Sequence, residues 1–221
     1  MRKIRFENGE FYHVFNRGNN KRPIFIDRFD LNRFLLSMRE FNTKEPIGSL
    51  YSLSLEKGLA ENPTPKSKRL VDFVCYCLNP NHYHFLVQQL EQDGVQKFIH
   101  RLGTGYTRYL NDKHNFSGAL FQGRYKAIHV DSNEYLLHLN AYINLNPEAH
   151  QIRGSSSKLL SKTSWEEYLG KELPGNSFCN KKIILSQFSN ITEYKDFAKK
   201  ALAISKERKE MVKSLELLLL T

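Results

Sequence analysis

Two β-rich runs joined by a tight turn constrain this chain more than any other feature. Val71 to Leu78 is apolar, β-branched and aromatic, and a second run extends from Asn81 to Leu90. Between them, Asn79-Pro80-Asn81 is turn chemistry: asparagine side chains mimic backbone turns, and proline presets φ. The pair reads as an antiparallel hairpin whose second strand opens with His82 and His84 around Tyr83. Side chains two apart on a strand share a face. The two imidazoles therefore sit side by side and supply half of a divalent-metal site, while Tyr83 and Phe85 point the other way. A lone His-x-His pair is also common on ordinary strands, so its meaning depends on what else the fold brings to it.

A second cluster supplies that context. The segment from about Glu134 to Asn146 reads as a helix, capped by Asp131-Ser132-Asn133 and stopped by Pro147. At about 100° per residue, Tyr135, His138, Tyr142 and Asn146 fall on one polar face of an otherwise aliphatic helix. Solvated faces usually carry Lys and Glu, so this stripe calls for another explanation. Tyr142 and Asn146 are one turn apart and can reach one point. A divalent cation on His82, His84 and the Asn146 carbonyl would polarise a phosphodiester oxygen, and the Tyr142 phenol would attack phosphorus. His138, one turn before Tyr142, is read as a supporting or substrate-contacting residue.

The charge fits a polyanionic partner. The 221 residues carry 33 Lys and Arg against 23 Asp and Glu, a net charge of +10. From Lys97 to Lys126 the basic residues include Arg101, Arg108, Arg124 and Lys126, against Asp112 alone. Aromatic residues such as Tyr106 interleave with them. Cations for phosphates beside flat rings for bases make a single-strand nucleic-acid surface. Arg17 joins this group: it ends the first predicted strand, Phe11 to Arg17, beside Gly18-Asn19-Asn20.

The remaining elements follow in order. Asp27 to Phe41 reads as a helix on the spacing of Phe29, Phe34, Leu35 and Met38. Asn42 to Leu70 is broken by Pro and Gly and reads as a loop around a short strand near Leu50 to Leu53. Val95 to Asn111 reads as a helix despite Gly103 and Gly105, with Tyr106 among its apolar positions; Leu120 to Val130 reads as a fourth strand. The sum is α+β: a ferredoxin-like antiparallel sheet of split β-α-β type over 1–150, followed by a helical C-terminal extension over 151–221. In that extension Trp165 reads as an anchor on the core, and Asn190-Ile191-Thr192-Glu193 as an Asn-capped helix start that could contact DNA.

The three cysteines form no framework. Cys75 and Cys77 are too close for an ordinary disulfide and lack zinc-ligand spacing. With no signal-peptide pattern and no long apolar run, the chain reads as cytoplasmic, without a membrane partner.

Four stretches together resemble the HUH single-tyrosine transposases, the IS200-like family, and within it the REP-associated branch. They are Tyr12-His13-Val14-Phe15-Asn16-Arg17-Gly18-Asn19-Asn20, Asn79-Pro80-Asn81-His82-Tyr83-His84, Leu120-Phe121-Gln122-Gly123-Arg124-Tyr125-Lys126 and Tyr142-Ile143-Asn144-Leu145-Asn146-Pro147. The resemblance implies metal-dependent cleavage and rejoining of single-stranded DNA, often at hairpins or repeats, through a 5′-phosphotyrosine. It implies Mg²⁺ or Mn²⁺ on His82 and His84, Tyr142 as nucleophile, and Asn146 as an amide-type third ligand, where some relatives carry Gln. Members act as monomers or homodimers. Two other readings stand beside it: a domesticated protein that binds DNA hairpins without cutting, and an HUH replication-initiator nuclease. The intact set of four residues argues against the first, and the Tyr142-to-Pro147 ending against the second.

Overall fold

The computed structural model describes residues 4–48, 50, 68–149, 160–171 and 177–218. Its centre is a five-stranded antiparallel sheet in the order β4-β1-β3-β2-β5. The strands are β1 (Phe11–Arg17), β2 (Val71–Asn79), β3 (His82–Gln89), β4 (Lys126–Val130) and β5 (Lys162–Thr163). Helix α1 (Arg28–Glu40) links β1 to β2, and α2 (Gly94–His114) links β3 to β4. In each link the two strands run in the same direction with a third, antiparallel strand between them. These are two interlocked split β-α-β units, the arrangement the sequence predicts.

Pro80-Asn81 makes the turn of the β2–β3 hairpin. β1 docks on β3 with Arg17 opposite His82, Phe15 opposite His84 and His13 opposite Leu86. Alternation then separates two faces. Tyr12, Val14, Tyr76, Leu78, Tyr83, Phe85 and Val87 face a core shared with Phe34 and Met38 of α1 and Phe98, Leu102 and Tyr106 of α2. Cys75, Cys77 and Leu86 face the opposite side, where α3 (Asn133–Asn144) packs. Direct cross-strand partners share a face, so His82, His84, His13, Phe15 and Arg17 lie on the α3 side.

Local signals set the helix ends. Asp27 accepts the Asp30 N–H while Asp30 accepts the Asp27 N–H, a capping box that contributes about 1 kcal/mol. Lys113 Nζ, 2.7 Å from Asp27 and 2.7 Å from Asp30, then ties this end of α1 to the end of α2. Gly105 has a packing reason: a Cβ there would meet the Phe41 ring at 2.8 Å, so glycine lets α2 lie close against the end of α1.

Two boundaries differ from expectation. Leu120 to Tyr125 does not join the ladder: Phe121 makes only an isolated bridge to Gly18, and Gly123, at φ 65°, turns the chain before β4 begins at Lys126. The α2 helix runs on to His114, where Asn115 adopts a left-handed cap. Apart from Leu50, the strand expected near Leu50 to Leu53 lies outside the described residues.

Past Asn146 the chain adds a short helix α4 (Asn146–Ala149), β5, α5 (Trp165–Tyr168), α6 (Lys182–Leu185) and the long α7 (Ile191–Leu218). Asn190 caps α7 by accepting the Glu193 N–H, and Glu193 accepts the Ser189 N–H in return. Tyr168 and Tyr194 stack at 5.2 Å, and Trp165 rests against Tyr194. Among the described residues, no helix is long and apolar enough to cross a membrane.

Candidate active site

His82 enters the site with its tautomer set by its neighbours. Its Nδ1 lies 2.6 Å from Asn81 Oδ1, an acceptor, so Nδ1 carries the proton. Its Nε2 lies 2.9 Å from Asn79 Nδ2, a donor, so Nε2 presents a lone pair. The same Asn79 Nδ2 donates to Asn146 Oδ1 at 2.7 Å. The His82 nitrogen and the Asn146 oxygen therefore converge on one point from β3 and from the start of α4.

His84 is the centre of a ring cluster. It packs edge-on to His82 at 5.2 Å, stacks with His13 at 5.1 Å and with Phe15 at 5.5 Å, and meets the Tyr142 ring edge-on at 6.1 Å. His84 Nδ1 and His13 Nε2 are 2.9 Å apart. Burial pushes the His13 imidazole down to about 4, so it is neutral at physiological pH.

Tyr142 comes from α3, whose first turn is capped by Ser132. Burial pushes its phenol above the ordinary tyrosine range. The nearby Asn146 amide pulls the other way, although its Nδ2 makes no hydrogen bond of normal geometry. Burial also pushes up Tyr83 and Tyr106, which lie in the core on the other face. Cys75, Cys77 and Cys179 are free, buried thiols with raised pKa values, unsuited to nucleophilic work.

The chemistry of this donor set fits a divalent cation: two imidazoles, one with its lone pair fixed, and one amide oxygen. The buried Asn79 Oδ1, without a hydrogen-bond partner, adds an unspent acceptor beside them. A separate group, Asp27, Asp30 and His114, also lies close together. There Lys113 bonds both carboxylates, and the Ile26 and Asp27 N–H groups bond Asp30. Those acceptors are committed to joining α1 and α2.

The expected nucleic-acid residues divide. Lys126 is exposed and paired with Phe15, which is paired with His84, so the three form one row across three strands. Arg17 stands in the row of His82 and Asn79, its Nε bonded to Gln122 Oε1. Arg124 is exposed in the turn before β4. Tyr106 is a correction: it is fully buried, and its hydroxyl donates to Ile24 O, so no ring face remains for a base. Arg101 donates to the carbonyls of Thr43 and Lys44 and staples α2 to the loop after α1. Arg108 is exposed beside Asp112, but on a helix across the sheet from the histidines. His138 packs on Phe197 of α7 and so has a supporting place.

Sequence reasoning missed His13, Asn79 and a buried network behind the tyrosine helix. In that network Asn140 Nδ2 donates to the Tyr168 hydroxyl, and Tyr194 donates to Asn140 Oδ1. Asn144 Nδ2 donates to Tyr194, and Ser164 donates to Asn144 Oδ1. The only sequence signal was the pair of asparagines inside an aliphatic helix.

Residues 64–146 match the family described as transposase IS200 like. This bears out the resemblance read from the sequence, and it supports a transposase-like action on DNA. The IS200-like stretch holds the hairpin, α2, β4 and the tyrosine helix through Asn146. A solved structure described as a REP-associated tyrosine transposase bound to a REP hairpin shares the fold, with a TM-score of 0.53 at 10% identity. The alignment covers 81% of this chain and 91% of that one. A comparison with curated proteins finds no match.

Proposed function

We propose that this chain cleaves and rejoins single-stranded DNA, with Tyr142 as nucleophile and a 5′-phosphotyrosine as intermediate. The observation that carries the reading is the meeting of Tyr142, His84, His82 and Asn146 within one chain, from a helix on one side and a strand on the other. That meeting supports use of the tyrosine in cis.

Mg²⁺ or Mn²⁺ held by His82 Nε2, His84 and Asn146 Oδ1 would polarise a non-bridging phosphate oxygen and offset the charge that builds at phosphorus. The chain does the rest. Asn81 and His13 orient the two imidazoles through their Nδ1 atoms. α3 holds the Tyr142 ring edge-on to His84, and burial favours its neutral phenol. The phenol oxygen attacks phosphorus as its proton passes to water, the P–O3′ bond breaks, and the departing 3′ oxygen takes a proton from water. The strand end keeps the energy of a phosphodiester, so a 3′-OH attacking the phosphotyrosine reverses the step and joins strands.

Arg17 and Lys126 share sheet rows with His82 and His84 and suit phosphates approaching them, and Arg124 is exposed in the turn before β4. A hairpin or repeat substrate is supported by the ligand of the solved relative. The free, buried cysteines support a reducing, cytoplasmic setting. Residues 1–150 form the nuclease unit in this reading, and the extension over 151–221 buttresses it.

The test is a denaturing gel of the protein with labelled single-stranded hairpins, in Mn²⁺ or in EDTA. A metal-dependent covalent protein–DNA band that vanishes in Tyr142→Phe is the expected result. Tight hairpin binding with no band in any metal would move the assignment to a non-cutting binder.

A further inference from the structure

Asn79 occupies the position of a ligand rather than of a turn residue. It closes β2, is fully buried, and shares a sheet row with His82 and Arg17. Its Nδ2 lies 2.9 Å from His82 Nε2 and 2.7 Å from Asn146 Oδ1, and it donates to both. On an octahedral ion with bonds of about 2.1 Å, adjacent ligand atoms stand about 3.0 Å apart. The Asn79 amide nitrogen thus sits where a neighbouring ligand atom would sit relative to the other two.

Its other atom completes the argument. Asn79 Oδ1 is buried and has no hydrogen-bond partner, which is costly for a carbonyl oxygen. Turning the carboxamide by half a revolution exchanges the two atoms. Three acceptors then face one another: His82 Nε2, Asn146 Oδ1 and Asn79 Oδ1. Without a cation that arrangement is repulsive; with one it is a coordination face. The N–H donors must leave when a cation takes the same lone pairs, and rotation supplies a replacement oxygen at no loss of packing.

We propose that Asn79 is a switchable further ligand of the cation site. Without the ion its amide N–H groups hold His82 and Asn146 in register; with the ion its Oδ1 coordinates. This rests on the metal reading given above and extends the ligand set beyond His82, His84 and Asn146.

The test is Mn²⁺ binding by the full chain without DNA, read from the electron paramagnetic resonance of free Mn²⁺ at fixed neutral pH. Wild type is compared with Asn79→Leu and Asn79→Asp, and thermal melts in EDTA check that each variant is folded. Asn79→Leu should bind about tenfold more weakly, because one oxygen donor is gone. Asn79→Asp should bind about tenfold more tightly, because a carboxylate is the better oxygen ligand. A residue that only donates hydrogen bonds predicts the opposite sign for Asp, since a carboxylate has no N–H and would repel Asn146 Oδ1. Equal or weaker binding by Asn79→Asp overturns the inference even if Asn79→Leu fails to fold. Absence of Mn²⁺ binding by wild type would instead sink the metal reading itself, a separate and recognisable result.

Discussion

His13 Nε2 lies 2.9 Å from His84 Nδ1, across the β1–β3 pairing. In the tautomer where neutral His13 accepts the His84 Nδ1 proton, His84 Nε2 is left to act as the ligand atom. Imidazole ligands are commonly fixed in this way, and loss of the partner costs about 10–100-fold in metal affinity. His13→Phe keeps a packed ring and removes the acceptor. Calorimetric titration with Mn²⁺ should show a loss within that range, with the melting temperature in EDTA little changed.

The same histidine makes the fold sensitive to mild acid. Its folded pKa is depressed to about 4 by burial, below the unfolded value of 6.5. Between those values the unfolded chain binds the extra proton, so stability is full above about pH 6.5 and falls as pH drops toward 4. The slope from this residue is at most about 1.4 kcal/mol per pH unit. Urea unfolding at pH 7.5 and 5 should show the loss in wild type and a smaller one in His13→Gln, which cannot titrate.

Two basic residues that look equivalent in sequence should behave differently. Lys126 shares the row of His84, roughly 10 Å away at two strand spacings, whereas Arg108 is on α2 behind the sheet. Lys126→Ala should weaken binding of single-stranded DNA across sequences and lower the salt slope by about one. Arg108→Ala should leave both unchanged. Fluorescence anisotropy over a range of salt concentrations reads the two variants directly.

Tyr194→Phe isolates the network behind the tyrosine helix. It removes the donor to Asn140 and the acceptor of Asn144, both buried. The expected cost is about 1–3 kcal/mol in urea unfolding. Covalent adduct formation should slow while hairpin affinity holds, because Tyr142 is set by α3 and the basic residues are not.

The parts of this molecule that obey a short period were legible in advance. Period two placed His82 and His84 on one face, and the helical period placed Tyr142 within reach of Asn146, although the helix ends at Asn144 and Asn146 opens the next one. What depends on strand register was not legible. His13 reads as one more polar residue in an aromatic strand until β1 is laid beside β3, a pairing about seventy positions away in sequence. Asn79 was hidden by Pro80 and Asn81, whose turn chemistry accounts for all three residues. Tyr106 shows the reverse failure. It lay on the apolar stripe of α2 with Phe98 and Leu102, yet the basic residues around it suggested a surface role. Composition counts residues along a stretch and does not say which side of a helix they occupy.

The tyrosine helix is fastened from beyond the stretch that carries the IS200-like pattern. Ser164, Tyr168 and Tyr194 grip Asn140 and Asn144 from behind, while Tyr142 and Asn146 work in front. A fragment ending after α4 would keep all four proposed reacting and metal-binding residues and lose the backstop that resists their recoil. The portable unit of this molecule is therefore longer than the portable unit of its sequence signature. Transplanting the signature alone would move the tools without the vice that steadies them.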